Sequence, residues 1–127
     1  MSDVDGTVQA AIDRACVNLE GTVKDFGLNL TFEAVDIPAL EEVLLAVREM
    51  NDEPAMTGAC FMVGAYLGEI LRRKVGGKWG MSADGVAELQ LTGSRGKIFP
   101  VEKVRKFARD PEADSLVFYI QALLASS

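Results

Sequence analysis

The segment GACFMVGAYLGEILRRKVGGKW, residues 58–79, constrains the fold more than any other part of the chain. It is apolar on nearly every side as far as Glu69, so it predicts the central, buried helix of the protein. Cys60, Gly64 and Gly68 follow one another at intervals of four residues, which places all three on one helix face. A glycine inside a helix costs about 1 kcal/mol relative to alanine. We therefore expect this face to admit an unusually close neighbour, either from the same fold or from a second copy of the chain.

The rest of the pattern predicts a single α+β domain over residues 1–127, with about five helices and a small three-stranded antiparallel meander. Predicted helices span residues 7–23, 36–50, 56–74 and 102–108, and a last one follows a cap at Asp114 or Ser115. Predicted strands span residues 79–81, 87–91 and 98–99, joined by turns at 84–85 and 93–96, and a further extended segment covers 28–32. Residues 1–5 and 125–127 are expected to be flexible.

The net charge of −6 is unevenly distributed along the chain. Residues 1–56 carry twelve acidic and three basic residues, whereas residues 57–127 carry seven acidic and ten basic residues. An acidic protein is a poor partner for nucleic acid, so we expect none. The charge split has two interpretations, which are internal balance within the fold and a basic face that binds an acidic protein or a small anion.

Basic residues cluster at two places in the second half of the chain, at the end of the central helix and on the short helix 102–108. Helical spacing places Lys103 and Lys106 near each other on the second cluster. If the two clusters meet in the fold, they form one patch for an acidic partner. The basic residues of such a patch are Arg72, Arg73, Lys74 and Lys78 in the first cluster and Lys103, Arg105, Lys106 and Arg109 in the second. Of these, Arg73, Lys103 and Lys106 are the candidate residues for a partner site.

The chain contains no histidine and only two cysteines, Cys16 and Cys60. A chain without histidine lacks the commonest general base and the usual catalytic zinc ligands. No strand leads into a glycine motif that binds phosphate or a dinucleotide. We therefore expect no catalytic residue, no metal and no cofactor, and an enzyme is the least favoured class. Both cysteines lie in apolar helical patterns, so we expect buried, reduced thiols.

The N-terminal residues MSDVDGT lack the basic and apolar regions of a signal peptide. The longest mostly apolar stretch, residues 59–67, is shorter than the about 20 residues that cross a bilayer. These features predict a soluble, cytoplasmic protein without a membrane partner. The sequence leaves open whether it is a monomer or a homodimer.

Glu69 is the most informative titratable residue, because it follows Tyr66 by one turn, precedes Arg73 by one turn and lies on the central helix. A half-buried carboxylate must be paired or hydrogen-bonded. One interpretation is a structural ion pair with Arg73 or a contact with the sheet. The other is an acid with a raised pKa in a pocket with Tyr66 and Trp79.

The second half of the chain also contains four short motifs. They are a G-A-Y-x-G-E helix at 64–69, a G-G-x-W turn at 76–79, a strand that ends in Pro100, and a D-S-L…F-Y helix at 114–119. Together they resemble a family of uncharacterised bacterial domains of unknown function, over residues 28–124. The resemblance implies the order helix, meander, helix. It implies no catalytic residues, since no activity is established for that family.

Two functional hypotheses follow from these observations. The leading one is a non-enzymatic cytoplasmic interaction protein of the immunity, adaptor or regulatory type, which acts through a charged surface. The alternative is a domain that binds a small anionic ligand in a pocket near Tyr66, Glu69 and Trp79.

Overall fold

The computed structural model describes residues 3–93 and 96–125, which form an α+β fold of five α-helices and one three-stranded antiparallel sheet. The helices are α1 (Asp3–Lys24), α2 (Ile37–Glu49), α3 (Glu53–Val75), α4 (Pro100–Arg109) and α5 (Leu116–Ala125). A short 3₁₀ helix (Ala34–Asp36) precedes α2. The strands are β1 (Gly77–Met81), β2 (Ala87–Leu91) and β3 (Lys97–Ile98), in that order across the sheet. The predicted fold class is confirmed.

Helix α3 is the central element, as its all-round apolarity predicts. It contacts the other four helices and the strands β1 and β2. Every residue from Val63 to Leu71 is buried. The core therefore surrounds the middle of this one helix, and each other element packs against part of its circumference.

Gly64 and Gly68 allow two neighbours to approach α3 unusually closely. A Cβ atom on Gly64 would lie 2.5 Å from the Cα of Val101 and 2.9 Å from its backbone nitrogen, so the start of α4 packs directly on the α3 backbone. A Cβ atom on Gly68 would overlap the ring of Trp79 and lie 3.1 Å from Cγ of Pro100. The predicted close contact inside the fold is confirmed. Because α4 and Trp79 occupy this face, it is not available to a second copy.

The sheet presents one row of apolar side chains to the helices. Trp79 pairs with Leu89, and Leu89 pairs with Ile98, so the three side chains lie next to one another on the same face. Trp79 and Leu89 are buried, and Ile98 is half-buried. The prediction that Trp79 is buried where α3 meets the first strand is confirmed.

Three helices begin earlier than the sequence predicts, in two cases for a visible local reason. The side chain of Asp52 accepts a hydrogen bond of 3.1 Å from the backbone N–H of Ala55, which starts α3 at Glu53. Pro100 starts α4 because its fixed φ suits a first helical turn. Helix α1 begins at Asp3, so residues 3–5, expected to be flexible, are helical, while residues 1, 2, 126 and 127 lie outside the described residues.

Residues 28–32 form a loop with no strand partner in the described chain. The prediction of an extended segment there is wrong. Phe32 adopts φ +56°, a left-handed conformation that interrupts any strand. The turn predicted at 84–85 is present, with Gly85 at φ +79°. Part of the turn predicted at 93–96, Ser94 and Arg95, lies outside the described residues.

The start of α5 is capped by two side chains. Ser115 Oγ accepts a hydrogen bond of 3.2 Å from the backbone N–H of Phe118. Glu41 Oε2, from α2, accepts bonds of 2.7 and 3.3 Å from the backbone N–H groups of Leu116 and Val117. Of the two caps predicted from the sequence, Ser115 is confirmed and Asp114 is wrong, since Asp114 pairs with a lysine of α4.

Candidate functional site

Glu69 forms the centre of a buried polar network. Its side chain is 1% exposed. Its Oε2 accepts hydrogen bonds of 2.7 Å from Nε of Arg72 and 2.8 Å from Nε1 of Trp79. A longer bond of 3.4 Å comes from Nε2 of Gln9 on α1, and Nε of Arg73 lies 3.5 Å from Oε1. The carboxylate thus ties α1, α3 and β1 together.

The charge of Glu69 is stabilised by these donors. Burial alone would raise the pKa of the carboxyl group, but the hydrogen bonds from Arg72 and Trp79 outweigh it and hold the pKa below the usual value. The idea of a raised-pKa acid is therefore wrong, because the sequence does not show that Arg72 and Trp79 both reach this carboxylate. Glu69 is ionised at neutral pH and does not supply a proton.

Tyr66 belongs to a second group of buried polar contacts on the same helix. Its hydroxyl donates to Oδ2 of Asp36 and accepts from the backbone N–H of Phe32. Asp36 also accepts a 2.8 Å bond from the backbone N–H of Thr31 and bonds from the hydroxyl of that residue. Burial and the hydrogen bond to Asp36 raise the pKa of Tyr66, so it remains a neutral phenol. These contacts hold the loop before α2 against α3.

Arg73 joins the two groups. Its guanidinium lies 3.6 Å above the ring centre of Phe32, and that ring packs on Tyr66 with 4.7 Å between centres. The structure therefore brings Tyr66, Glu69, Arg73 and Trp79 together, as their spacing predicts. Asp36 was not predicted, because its position before Ile-Pro suggested only a helix start.

This network has no open access for a ligand. Tyr66, Glu69 and Trp79 are each at most 1% exposed. No buried side-chain nitrogen or oxygen atom in the described part of the chain lacks a hydrogen-bond partner. The described residues also contain no group of three or more acidic, cysteine or histidine side chains arranged to hold a metal ion. Tyr66, Glu69 and Trp79 thus lie in the core, and the exposed Arg73 covers them from the surface.

Lys103 and Lys106 lie elsewhere, in a groove of about 460 Å³ between β3, α4 and α5. We call it the lysine groove; it is lined by Lys97, Ile98, Phe99, Glu102, Lys103, Lys106 and Tyr119. Two of its three lysines form ion pairs. Lys103 lies 2.8 Å from Asp114, and Lys97 lies 3.2 Å from Glu88. Lys106 is exposed and has no ion-pair partner among the described residues.

Aromatic side chains supply the apolar part of the lysine groove. Phe99 is 39% exposed, and Tyr119 is half-buried beneath the ammonium of Lys103, 5.2 Å from its ring centre. Burial raises the pKa of Tyr119 to about 12, so its hydroxyl adds no negative charge to the groove. The sequence did not single out Lys97, Phe99 or Tyr119, because only the turn before β3 and the placement of α5 bring them to Lys106.

Helix α4 leads away from the basic cluster at the end of α3. The start of α4 lies at Gly64 and Gly68, and Arg109 at its end lines a cavity with Met56 near the start of α3. Arg72 lies 16 residues after Met56 on α3, which corresponds to about 24 Å along the helix axis. Arg72 and Arg73 are also paired with Glu69. None of the basic residues at the end of α3 lines the lysine groove.

Helix α3 is the one helix of the described residues that is long and apolar enough to cross a membrane by length and composition. The sequence-based expectation considered only residues 59–67 and missed this. In the structure, 61% of its most apolar stretch is buried inside the fold. The apolar composition is therefore explained by its central position in the core.

Comparisons of the chain with protein-family models, with curated proteins and with solved structures give no match. The resemblance to a family of bacterial domains stays a prediction, carried by the motifs at 64–69, 76–79, 100 and 114–119. In the structure, the residues of the first two motifs serve packing, since Gly64, Gly68, Tyr66, Glu69 and Trp79 all lie in the core.

Proposed function

We propose that this protein is a non-enzymatic, cytoplasmic interaction protein that binds an acidic segment of a partner protein in the lysine groove. An immunity, adaptor or regulatory role in a bacterium agrees with such an activity. The observation that carries the proposal is the groove itself, which combines three lysines with exposed aromatic surface.

The charge of the groove favours an acidic partner. Its lining contains three lysines and one acid, Glu102, on a chain whose net charge is −6. Glu102 is engaged by Arg105 at 2.8 Å, which limits its repulsion of an acidic ligand. The ion pairs of Lys97 and Lys103 hold these side chains in place, and Lys106 is left to meet an incoming carboxylate. Such a surface speeds association and makes binding sensitive to salt.

The burial of the chemically interesting residues supports a non-enzymatic role. Asp36 and Glu69 are buried acids whose carboxylate oxygen atoms accept hydrogen bonds from groups within the fold. The alternative, a small anionic ligand beside Tyr66, Glu69 and Trp79, is disfavoured because each of these side chains is at most 1% exposed and because the ionised Glu69 would repel an anion. A small anion in the lysine groove remains a competing outcome of the experiment below.

The proposal is tested with a short fluorescent peptide rich in glutamate and containing one aromatic residue. We expect saturable binding that weakens as salt is raised, with NMR shifts at Lys97, Phe99, Lys106 and Tyr119. Lys106→Glu should reduce the affinity about tenfold or more, since it replaces attraction by repulsion at the unpaired position.

The matched control is Arg14→Glu, which makes the same change of charge at an exposed position of α1. It should leave the affinity within about twofold of wild type, because Arg14 does not line the lysine groove, which lies between β3, α4 and α5. Equal loss in both variants would mean that only net charge matters, and would overturn the proposal. Inorganic phosphate that competes fully with the peptide at micromolar concentration would favour the small-anion function instead.

A further inference from the structure

A second cavity lies on the other side of α4. It has a volume of about 140 Å³ and is formed where the β1–β2 hairpin folds over α3 and α4. Five apolar side chains and Gly85 line it, and a pair of opposite charges lies at its edge. We call it the hairpin cavity; the apolar residues are Phe61, Met81, Val86, Ala87 and Val101, and the pair is Glu102 with Arg105.

The size and lining of this cavity suit one apolar side chain. An apolar cavity of about 150 Å³ accommodates a benzene-sized group. Met81, which lines the cavity, is 45% exposed, so the cavity is accessible from the surface. The occupant that matches is therefore a single aromatic or branched aliphatic group.

The hairpin cavity and the lysine groove flank the outer face of α4. Glu102 lines both. Helical geometry places Glu102 and Lys106 at the crest of this face, with Arg105 on the side of the hairpin cavity and Lys103 on the side of the lysine groove. A chain that crosses α4 over this crest reaches both cavities.

We propose that the hairpin cavity receives an apolar anchor from the same extended acidic segment that binds the lysine groove. This inference rests on the proposed function and specifies the motif of the partner. A helix is about 10 Å wide, and an extended chain advances about 3.3 Å per residue. The full crossing runs from the lysine groove to the hairpin cavity, so the anchor lies about three to four residues from the acidic residues that enter the lysine groove.

Charge complementarity supports the crossing. Glu102 is the one acid that lines both cavities, and Arg105 binds it at 2.8 Å. The charge at the hairpin cavity is therefore balanced, whereas the lysine groove holds the unpaired Lys106. Acidic residues of the segment are thus favoured over the lysine groove, and an apolar residue over the hairpin cavity. The apolar anchor in the hairpin cavity then fixes the register of the segment along α4. Charge alone does not fix it.

The test uses acidic peptides that carry one phenylalanine at a spacing of one, four or seven residues from the acidic cluster, and one with no phenylalanine. We expect the four-residue spacing to bind about tenfold more tightly than the peptide without an anchor, because a buried aromatic side chain contributes at about this level. The other spacings should gain little. Toluene alone should shift the NMR signals of Val86, Ala87 and Val101.

Ala87→Ile narrows the hairpin cavity at a strand position that suits a β-branched residue. It should remove the gain from the anchor and the toluene shifts, while the peptide without an anchor binds as before. Val86→Phe is a second filling variant, in case Ala87→Ile lowers stability.

The outcomes separate this inference from the proposed function. If the four-residue peptide binds no better than the peptide without an anchor, and toluene causes no shift, the cavity takes no apolar group and the inference is overturned, while the lysine groove stands. If Lys106→Glu leaves every peptide unaffected, the proposed function fails. Toluene shifts in that case would leave an apolar site without an acidic partner, which also overturns the inference.

Discussion

Glu69 illustrates how this fold keeps a buried charge. The carboxylate loses water on every side but gains donors from Arg72, Trp79 and Gln9, so its charge is compensated at each oxygen atom. Arg72 is about one-third exposed and still reaches water. The pair is thus anchored in the core at one end and solvated at the other.

This arrangement predicts a specific dependence of stability on pH. The folded-state pKa of Glu69 is lowered from 4.5, so its contribution is present above pH 4.5 and is lost as pH falls through the folded-state pKa. Glu69→Gln should lower the free energy of unfolding at pH 7 by about 1–3 kcal/mol, since a hydrogen-bonded charge is replaced by an amide. Urea unfolding between pH 7 and pH 3 measures both effects. A variant whose stability falls with acid as steeply as wild type would contradict this account.

The glycines of α3 provide a second residue-scale prediction. Gly64→Ala should destabilise the protein by about 1–3 kcal/mol, because the new Cβ meets the backbone of Val101, which cannot turn away as a side chain can. Gly58→Ala, on the same helix, meets nothing within 4 Å and should stabilise by up to about 1 kcal/mol. Thermal melts of both variants measure these changes in stability. Equal effects of the same sign would show that helix propensity, and not packing, governs these positions.

At the scale of elements, the loop between α1 and α2 is fastened to α3 at several points. Asp36 and Phe32 bind Tyr66, Arg73 stacks on Phe32, and Lys74 pairs with Glu33 at 2.6 Å. Phe32 adopts a left-handed conformation, which is unfavourable for a bulky residue, and these contacts offset its cost. The loop is thus positioned by side chains in place of a strand partner.

Removal of the Tyr66 hydroxyl should loosen this loop. Tyr66→Phe leaves Asp36 and the backbone N–H of Phe32 each short of one buried partner, so we expect a loss of about 1–3 kcal/mol and faster amide exchange at Phe32. The control is Tyr119→Phe, whose hydroxyl has no hydrogen-bond partner among the described residues and whose removal should be nearly neutral. Unchanged exchange at Phe32 in Tyr66→Phe would show that Arg73 alone holds the loop.

At the scale of the whole molecule, the two halves of the chain are joined by charge as well as by the core. Glu33 pairs with Lys74, and Glu41 caps α5, so acids of the first half meet groups of the second. Internal balance thus explains part of the charge split. Lys106 forms no such ion pair with the described residues. The lysine groove is therefore the better candidate surface for an acidic partner.

The cysteines report on the integrity of this whole core. Cys16 and Cys60 are both free and buried, on α1 and α3. Burial raises the pKa of Cys16 to about 12 and also raises that of Cys60, so neither is a reactive thiolate at neutral pH. A thiol reagent should find two groups per chain in denaturant without reductant, and should react only slowly with the folded protein. Rapid reaction of one thiol in the native state would indicate local opening of α1 or α3.

How much of the molecule follows from sequence depends on the range of the interactions. The helices, the meander and the central place of α3 follow from local periodicity, since a helix or strand must bury its apolar face. The glycine pair at 64 and 68 also predicts close packing, because nothing else justifies its cost in a helix. The sequence also predicted that Trp79 and Glu69 are neighbours. It did not predict that the pKa of Glu69 is lowered.

The sequence by itself therefore determined the fold class and the residues of the core, because both depend on patterns within about twenty positions. Only the tertiary structure decided what Glu69, Asp36 and the lysines do, because their burial and part of their contacts come from segments that are distant in sequence. Asp36 meets Tyr66 thirty residues away, and Glu69 meets Gln9 sixty residues away. The lysine groove exists only because α5 returns to lie beside α4 and β3. The pKa of a side chain and its access to a ligand depend on which atoms surround it, and here those atoms come from the folding of distant segments onto α3.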